Sequence, residues 1–219
     1  MNRLANSSPQ KESEAGRTLY LASRSPRRTQ LLAEAGIEVK TIESGVDDGV
    51  LNPGDVSVEQ WATALAYFKA KAGAIRLEAD GITGLVLGAD TIVEHRGELM
   101  GKPHNRQDAQ AMMTRLADAV HDVITGVAVV DLQSGERSLL CDRATVSVGV
   151  ISQQDIQKYV DSDVWVGKAG GYNLSERLEA GWPIQFDGDP TTIMGLPMNK
   201  LTPHLHSRWG ITTKSKQRI

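Results

Sequence analysis

Short apolar runs alternate with amphipathic segments along most of the chain, and this alternation predicts strands and helices in turn. The run Leu19–Ala22 is apolar and unbroken, which is typical of a short buried strand. Ser25 and Pro26 predict the start of a helix, because serine caps helices well and proline lacks the N–H group that the first turn leaves unpaired. Leu31 and Leu32 give this helix an apolar face.

A long helix is predicted to begin at Ser57. In the stretch SVEQWATALAYFKAKAGAIRLEAD, apolar residues recur at the spacing of one helix face, and we expect that face to form part of the core. The residues on this face are Val58, Trp61, Leu65, Phe68 and Ala72.

The remaining pattern predicts a mixed sheet. GLVLGADTIVEHRGELM is predicted to form a strand, a turn and a returning strand, and HDVITGVAVVDLQSGERSLLCDRATVSVGV a long hairpin that turns at Ser134 and Gly135. Helices are predicted in NRQDAQAMMTRLAD, in SQQDIQKYVDS and after MGLP, whereas residues 165–190 give no clear pattern. Strands and helices that alternate around a hairpin indicate an α/β or mixed α+β fold.

The length of the chain fits one domain. Of the 219 residues, residues 18–207 carry the predicted elements. Residues 1–17 are polar and lack the apolar centre of a signal peptide, so they are predicted to be a disordered tail, and residues 208–219 a loose C-terminal tail. No apolar run approaches the roughly 20 residues that span a bilayer, so we expect no membrane partner and a cytoplasmic location.

Charge and cysteine content exclude several classes of protein. The formal net charge of −3 does not resemble that of a nucleic-acid-binding protein, so no nucleic-acid partner is expected. Cys141 is the only cysteine, which excludes an intramolecular disulfide and a cysteine-based zinc cluster. The chain contains neither a Walker-type glycine-rich loop nor the GxSxG motif of a serine hydrolase.

Asp90 is a carboxylate in the middle of the apolar run LVLGADTIV. Burying an unpaired carboxylate costs several kcal/mol, so Asp90 needs a metal, a cation or strong hydrogen bonds nearby. Two explanations remain open at this point. Asp90 is either a metal ligand or general base at the end of a strand, or one half of a structural salt bridge.

Arg27 and Arg28 lie in the first turn of the first predicted helix, where the helix dipole disfavours positive charge. The unfavourable contribution would reverse if an anion were bound there by backbone N–H groups and the two guanidinium groups. The local chemistry therefore fits a phosphate. Two solvated arginines on a surface helix fit the spacing equally well.

Further charged residues add to this inventory. Lys69 flanks the apolar face of the long helix and could reach a cleft, and Lys102 lies in a turn that Pro103 fixes, although solvated lysines are common in both settings. Asp47 and Asp48 form a loop pair that suits magnesium or manganese, although most such pairs bind nothing. Without an obvious nucleophile, the inventory fits a polyphosphate ester, a divalent ion and an attacking water. It does not suit acyl or hydride transfer.

Six short motifs resemble those of the Maf family in the same order. They are LASRSPRR, LGADTIV, GKP, HDVITGVAVV, KAGGY and MGLP, and they extend from about Leu19 to about Leu201. The resemblance implies a fold related to that of inosine triphosphatase, with a mixed twisted sheet and two lobes around a nucleotide cleft. It also implies a metal-dependent nucleoside triphosphate pyrophosphatase that releases the monophosphate and pyrophosphate, with a role in nucleotide house-cleaning and in arrest of septum formation.

The resemblance also implies roles for individual residues. Asp90 would activate the attacking water and contact a magnesium or manganese ion together with Asp48. Ser23, Arg27 and Arg28 would hold phosphates, and Thr91 matches a position linked to base selectivity. The lysines that would neutralise phosphate charge are Lys69, Lys102 and Lys168.

Some positions depart from the family pattern and leave the base preference open. Gly167 stands before Lys168, where the family usually has an acidic residue. The glutamine of the branch that prefers dTTP and UTP is also absent. The pair Ser175–Glu176 resembles the branch that acts on 7-methyl-GTP, in which case Glu176 would accept hydrogen bonds from a guanine edge. The glycine also motivates an alternative, a non-catalytic nucleotide-binding regulator of septum formation. A homodimer is a family-level expectation.

Overall fold

The computed structural model describes residues 17–46 and 51–213. The predicted acidic pair Asp47 and Asp48 lies outside the described residues, as does almost all of the predicted N-terminal tail. Arg17 is described, and its guanidinium group lies 2.6 Å from the carboxylate of Asp131. The described part of the domain therefore begins one residue before the predicted boundary.

Strands and helices alternate along the described residues. The strands are β1 (Leu19–Ala22), β2 (Lys40–Ile42), β3 (Leu85–His95), β4 (Glu98–Met100), β5 (Ala119–Asp131), β6 (Arg137–Val148) and β7 (Ile184–Asp187). The helices are α1 (Pro26–Glu34), α2 (Val58–Ala79), α3 (Arg106–Leu116), α4 (Gln153–Asp161), α5 (Leu174–Glu179), α6 (Pro190–Ile193) and α7 (Met198–Trp209). Both predicted hairpins and all the predicted helices are confirmed, and the tract without a clear pattern contains α5 and β7.

The strands form one mixed sheet in the order β2-β1-β3-β5-β6-β7, with β4 paired to β3. β1 is parallel to β2 and to β3, whereas β3, β5, β6 and β7 are successively antiparallel. The predicted mixed α/β fold is therefore confirmed. The chain runs from β1 to β2 on one side and returns to β3 on the other, so β1 and β3 flank a topological switch point, where α/β sheets commonly bind ligands.

One edge of β3 contains a gap in strand pairing. Leu85–Leu87 pair with β1, and Val93–His95 pair with β4 on the same edge. Between them, residues 88–92 pair with β5 on the other edge, and no described strand pairs with them on this one. Asp90 lies at the centre of this gap. The prediction that Asp90 lies at a strand end is thus wrong for β3. Relative to the neighbouring strand, however, Asp90 lies just past the carboxyl end of β1.

The two faces of the sheet are covered differently. α2 covers one face, where Ala66, Ala70 and Ala74 pack against Val86 and Ala128. The other face carries two separate apolar clusters, one formed with α1 and α7 and the other with α3 and α4. Because side chains alternate along a strand, Asp90 faces α2, whereas Thr91 lies on the face that carries the two clusters. These two clusters form the cores of two lobes.

α2 lies unusually close to the sheet. A Cβ atom on Gly88 would lie 2.2 Å from the carbonyl oxygen of Ala66, and one on Gly126 would lie 2.4 Å from that of Ala62. The face of α2 against the sheet is therefore made of small residues. The predicted face of larger residues is wrong in part, because Phe68 is 44% exposed and cannot fit where the helix backbone meets the sheet.

Two local predictions need correction. Ser25 is the N-cap residue of α1, but its side chain makes no capping hydrogen bond, in contrast to Ser57 at the start of α2. The predicted loose tail from residue 208 begins too early. α7 continues to Trp209, and Ile211 is buried against the cluster formed with α1 and α7, because its apolar side chain completes that cluster.

Candidate active site

A buried ion pair occupies the gap in the sheet. Lys69 Nζ lies 2.5 Å from Asp90 Oδ1, and both residues are buried. The small residues of α2 produce this contact, because Lys69 lies between Ala66 and Ala70, which pack directly on Gly88. Lys69 thus reaches Asp90 at the gap in the sheet, and its place in a substrate cleft stays a prediction. The salt bridge that the sequence left open is present, and it lies where a substrate could approach β3 from the unpaired edge.

Within the described part of the chain, Arg28 donates at least four hydrogen bonds to protein acceptors. Its Nη1 donates to the carbonyl of Ala89 at 2.8 Å and to Ser23 Oγ at 3.2 Å. Its Nη2 donates to Thr91 Oγ1 at 3.1 Å, and its Nε to the carbonyl of Gly195 at 2.9 Å. Arg28 therefore ties the start of α1 to β3 and to the segment after α6.

Arg27 points toward a different group of residues. Its Nη2 lies 3.7 Å from Glu176 Oε1, and the other carboxylate oxygen of Glu176 accepts a hydrogen bond from Lys168 Nζ at 2.5 Å. Asn173 Nδ2 donates to Glu176 Oε1 at 2.7 Å. Two segments that are distant in sequence, the start of α1 and residues 168–176, thus bring two cations together around one carboxylate. Lys168, Glu176 and Arg27 were each predicted, but this pairing was not.

Burial and pairing act in opposite directions on this group. Burial raises the pKa of Glu176, but the hydrogen bond and charge of Lys168 lower it more, together with Asn173 and Arg27, so its pKa is below the ordinary value. Burial lowers the pKa of Arg27, and the charges of Glu176 and Tyr159 offset this in part. Glu176 is therefore an ionised acceptor between two cations.

The start of α1 differs from that of α2, α3 and α4. It has no side-chain cap and no acidic residue in its first turn, whereas the other three have both. Positive partial charge at a helix start is favourable for an anion. Arg27 and Arg28 follow Pro26 in this turn, so the arrangement fits an external anion.

Lys102 lies in the exposed turn after β4, and Pro103 beside it is buried. The turn is tied to the segment of Lys168, because the Gly170 N–H donates to the Gly101 carbonyl at 2.9 Å. This hydrogen bond brings the GKP and KAGGY motifs together.

A divalent metal ion fits the site only in part. No three histidine, cysteine, aspartate or glutamate side chains of residues 17–46 and 51–213 converge as a cation site would require. Asp90 supplies hard carboxylate oxygens, the ligand type that magnesium and manganese prefer, and magnesium commonly uses one or two carboxylates together with substrate phosphates. The chemistry of Asp90 therefore fits a metal that a triphosphate would complete. Asp48 remains a prediction.

Two buried threonines were missed by the sequence reasoning. Thr125 and Thr192 are fully buried, and Thr125 Oγ1 lies 2.9 Å from Thr91 Oγ1 and donates to the Thr192 carbonyl at 2.8 Å. Thr125 lies inside the motif HDVITGVAVV, but nothing in the sequence distinguishes it from an ordinary strand residue. The base-selective role of Thr91 remains a prediction, and its hydroxyl group is bonded to Thr125 and Arg28.

Comparison with known proteins shows the family of this chain. The family model described as Maf-like protein matches residues 18–208. The chain belongs to the Maf family. Among its curated relatives, a dTTP/UTP pyrophosphatase from Alkaliphilus metalliredigens is 37% identical over 193 residues, which cover 88% of this chain and 97% of the relative. A dTTP/UTP pyrophosphatase from Pelotomaculum thermopropionicum is 35% identical over 187 residues, 85% of this chain and 94% of the relative.

A solved structure is also similar to this Maf protein at low level. The nucleoside-triphosphatase / dITP/XTP pyrophosphatase from Mycobacterium abscessus aligns with a TM-score of 0.32 at 15% identity, over 60% of this chain and 72% of that chain. This match adds nothing to the family assignment. Among the described residues of the Maf domain, no helix is both long and apolar enough to cross a membrane.

Proposed function

We propose that this protein is a nucleoside triphosphate pyrophosphatase. The observation that carries the proposal is the buried Lys69–Asp90 pair at the unpaired edge of β3, in a Maf chain whose curated relatives are named dTTP/UTP pyrophosphatase. The reaction is attack of water on the α-phosphorus of a nucleoside triphosphate. The bond from this phosphorus to the bridging oxygen breaks, and the monophosphate and pyrophosphate leave.

Asp90 is the proton acceptor in this proposal. Its carboxylate takes one proton from the attacking water, and Lys69 holds Oδ1 so that the carboxylate has a fixed orientation. The close approach of α2 keeps this pair rigid. Positioning and charge neutralisation provide most of the rate enhancement in phosphoryl transfer, and a rigid acceptor meets the first of these needs.

The triphosphate is bound by cations around the start of α1. Arg27 and Lys168 exchange their contact with Glu176 for phosphate oxygens, Lys102 contributes from the neighbouring turn, and Ser23 lies at the entrance to the helix. The absence of a side-chain cap and of acidic residues in the first turn of α1 supports this assignment. Glu176 keeps the two cations close to each other before the substrate arrives.

A magnesium or manganese ion would be held by Asp90 and, as the sequence predicts, by Asp48. When bound, it would neutralise charge on the phosphate oxygens.

We further propose dTTP and UTP as the preferred substrates. The names of the relatives support this choice. When Lys168 and Arg27 turn to the phosphates, Asn173 Nδ2 still donates to Glu176 Oε1, so a guanine edge would have to compete with this donor. The contacts of Glu176 therefore favour a role in arranging cations over a role in reading a base.

The proposal is tested with purified protein and a panel that includes dTTP, UTP, dATP and 7-methyl-GTP, with magnesium or manganese. Chromatography should identify the monophosphate and pyrophosphate as products. Asp90→Asn should lower turnover by about 10²–10⁴-fold, the usual contribution of a general base. Asp131→Asn is the matched control, because Asp131 is a buried, paired carboxylate at the far end of β5.

Three outcomes separate the alternatives. Full activity of Asp90→Asn would contradict the assigned role of Asp90. Fastest turnover of 7-methyl-GTP would overturn the base preference and leave the reaction standing. Nucleotide binding without turnover by the wild-type protein, with either metal, would favour the non-catalytic regulator.

A further inference from the structure

Arg28 contacts the residues on both sides of Asp90. Its guanidinium group bonds the carbonyl of Ala89 and the side chain of Thr91, the two residues that flank Asp90 along β3. These contacts lie at the gap, where no described strand pairs with this edge. The side chain of Arg28 therefore holds this edge of β3 where β1 has ended.

A chain of hydroxyl groups continues from Arg28, and its hydrogen-bond direction can be assigned. Arg28 is a donor only, so Thr91 Oγ1 must accept from it. The carbonyl of Thr192 is an acceptor only, so the Thr125 hydroxyl donates its single proton to this carbonyl. The bond of 2.9 Å between the two hydroxyls then has Thr91 as donor and Thr125 as acceptor.

The chain closes into a ring. The Gly195 N–H donates to the Thr192 carbonyl at 3.1 Å, and the Gly195 carbonyl accepts from Arg28 Nε at 2.9 Å. Gly195 has a φ of +110°, and a Cβ atom there would lie 3.2 Å from Arg28 Nε. Glycine thus suits both the backbone conformation and the close approach of the guanidinium group.

The ring lies between the two lobes. Thr91 and Thr125 lie on the sheet face between the apolar cluster formed with α1 and α7 and the one formed with α3 and α4. Thr125 is fully buried, so water does not replace a lost partner there. Loss of the Thr125 hydroxyl leaves the Thr91 hydroxyl proton without its acceptor. It therefore changes the orientation in which Thr91 Oγ1 accepts the hydrogen bond from Arg28.

We propose that Arg28 is a positioning residue for Asp90 and not a ligand of the triphosphate, and that the buried hydroxyl of Thr125 fixes Arg28 in this role. The inference rests on the proposed function, because Asp90 is the proton acceptor of that reaction. It assigns the phosphates to Arg27 and the lysines. It also assigns the segment after α6 to the support of Asp90.

The central variant is Thr125→Val, which keeps the side-chain shape and removes the hydroxyl group. Because misplacement of a reacting group by about 1 Å can cost about 100-fold, kcat should fall at least about 10-fold with KM within about twofold. Thr125→Ser should restore kcat. Thr145→Val is the matched control, since Thr145 on β6 bonds Asp122 and lies outside the ring.

Arg28→Lys distinguishes positioning from phosphate binding. Lysine keeps the charge but cannot span Ala89, Thr91 and Gly195 at once. A positioning residue predicts a loss of kcat similar to that of Thr125→Val with little change in KM. A raised KM with retained kcat in Arg28→Lys, or wild-type kcat in Thr125→Val, overturns the inference.

A measurement independent of activity separates this inference from the proposed function. The Nε–H NMR signal of Arg28, assigned by its loss in Arg28→Lys, should be protected from solvent exchange in the wild type, Thr125→Ser and Thr145→Val. It should exchange rapidly in Thr125→Val. If the wild-type protein releases no pyrophosphate, the proposed function fails, and an unchanged signal in Thr125→Val still overturns the ring as the support of Arg28.

Discussion

Gly88→Ala is predicted to disturb the site by lifting α2 from the sheet. The new Cβ atom would lie 2.2 Å from the Ala66 carbonyl oxygen and 2.6 Å from the Ala70 nitrogen. Both atoms belong to the helix backbone, which no side-chain rotation can move. An ordinary contact begins at about 3.4 Å, so α2 must shift outward by roughly 1 Å at this point.

The expected cost follows from this shift. Overpacking typically costs about 1–3 kcal/mol, and we expect about 3 kcal/mol because the helix must move as a body. With an m-value of about 2 kcal/mol/M, the midpoint of urea unfolding should fall by about 1.5 M. Lys69 moves with the helix away from Asp90. Turnover of dTTP or UTP should therefore fall about 100-fold.

Two further variants control this prediction. Gly101→Ala places its Cβ in open space and should leave the urea midpoint unchanged or slightly higher. The double variant Gly88→Ala with Ala70→Gly should not recover the wild-type urea midpoint or turnover. The nearest clash is with the carbonyl of Ala66, and this carbonyl remains. Wild-type stability and turnover in Gly88→Ala would refute the argument that the close packing of α2 holds Lys69 against Asp90.

Two other predictions concern stability. Ser57→Ala removes the capping box of α2 and should lower the free energy of unfolding by about 1 kcal/mol in urea titrations. Ser57→Thr keeps a hydroxyl cap and should retain most of this stabilisation. Burial lowers the pKa of His121 to about 4, and its imidazole bonds Tyr172. Its stabilising contribution should be complete above pH 6.5 and decrease by about 3 kcal/mol as pH falls to 4. NMR titration of His121 should show no protonation above pH 5.5; an ordinary pKa would contradict this.

Much of the fold could be predicted from the sequence because local signals agree with the tertiary structure. β1, both hairpins and the start of α2 follow from apolar runs, turn residues and a serine cap. The buried face of α2 could not be predicted in the same way. The apolar pattern favoured the larger residues such as Phe68, but the packing distance is set by Gly88 and Gly126 on strands distant in sequence.

The site follows a similar division. Asp90 stands out in the sequence as a carboxylate within an apolar run, whereas Lys69 only flanks the apolar face of its helix. The structure brings the two together. The contact of Glu176 with Arg27 depends on how residues 168–176 pack against the start of α1, which no local pattern records. Thr125 carries no sequence signal, because its importance arises only from its partners.

The position of Asp90 explains why the site lies in the middle of a long strand. A carboxylate in a fully paired strand would be covered on both edges by backbone, out of reach of a substrate. Here β1 ends before Asp90 and β4 begins after it, so one edge of β3 is available among the described strands. An unpaired edge is also a poorly restrained one. Lys69 restrains Asp90 from one face of the sheet, and Arg28 holds its two neighbours from the other. Access to β3 and rigidity at Asp90 are therefore provided by different groups. A variant such as Thr125→Val can reduce the rigidity of Asp90 without changing the access of substrate to β3.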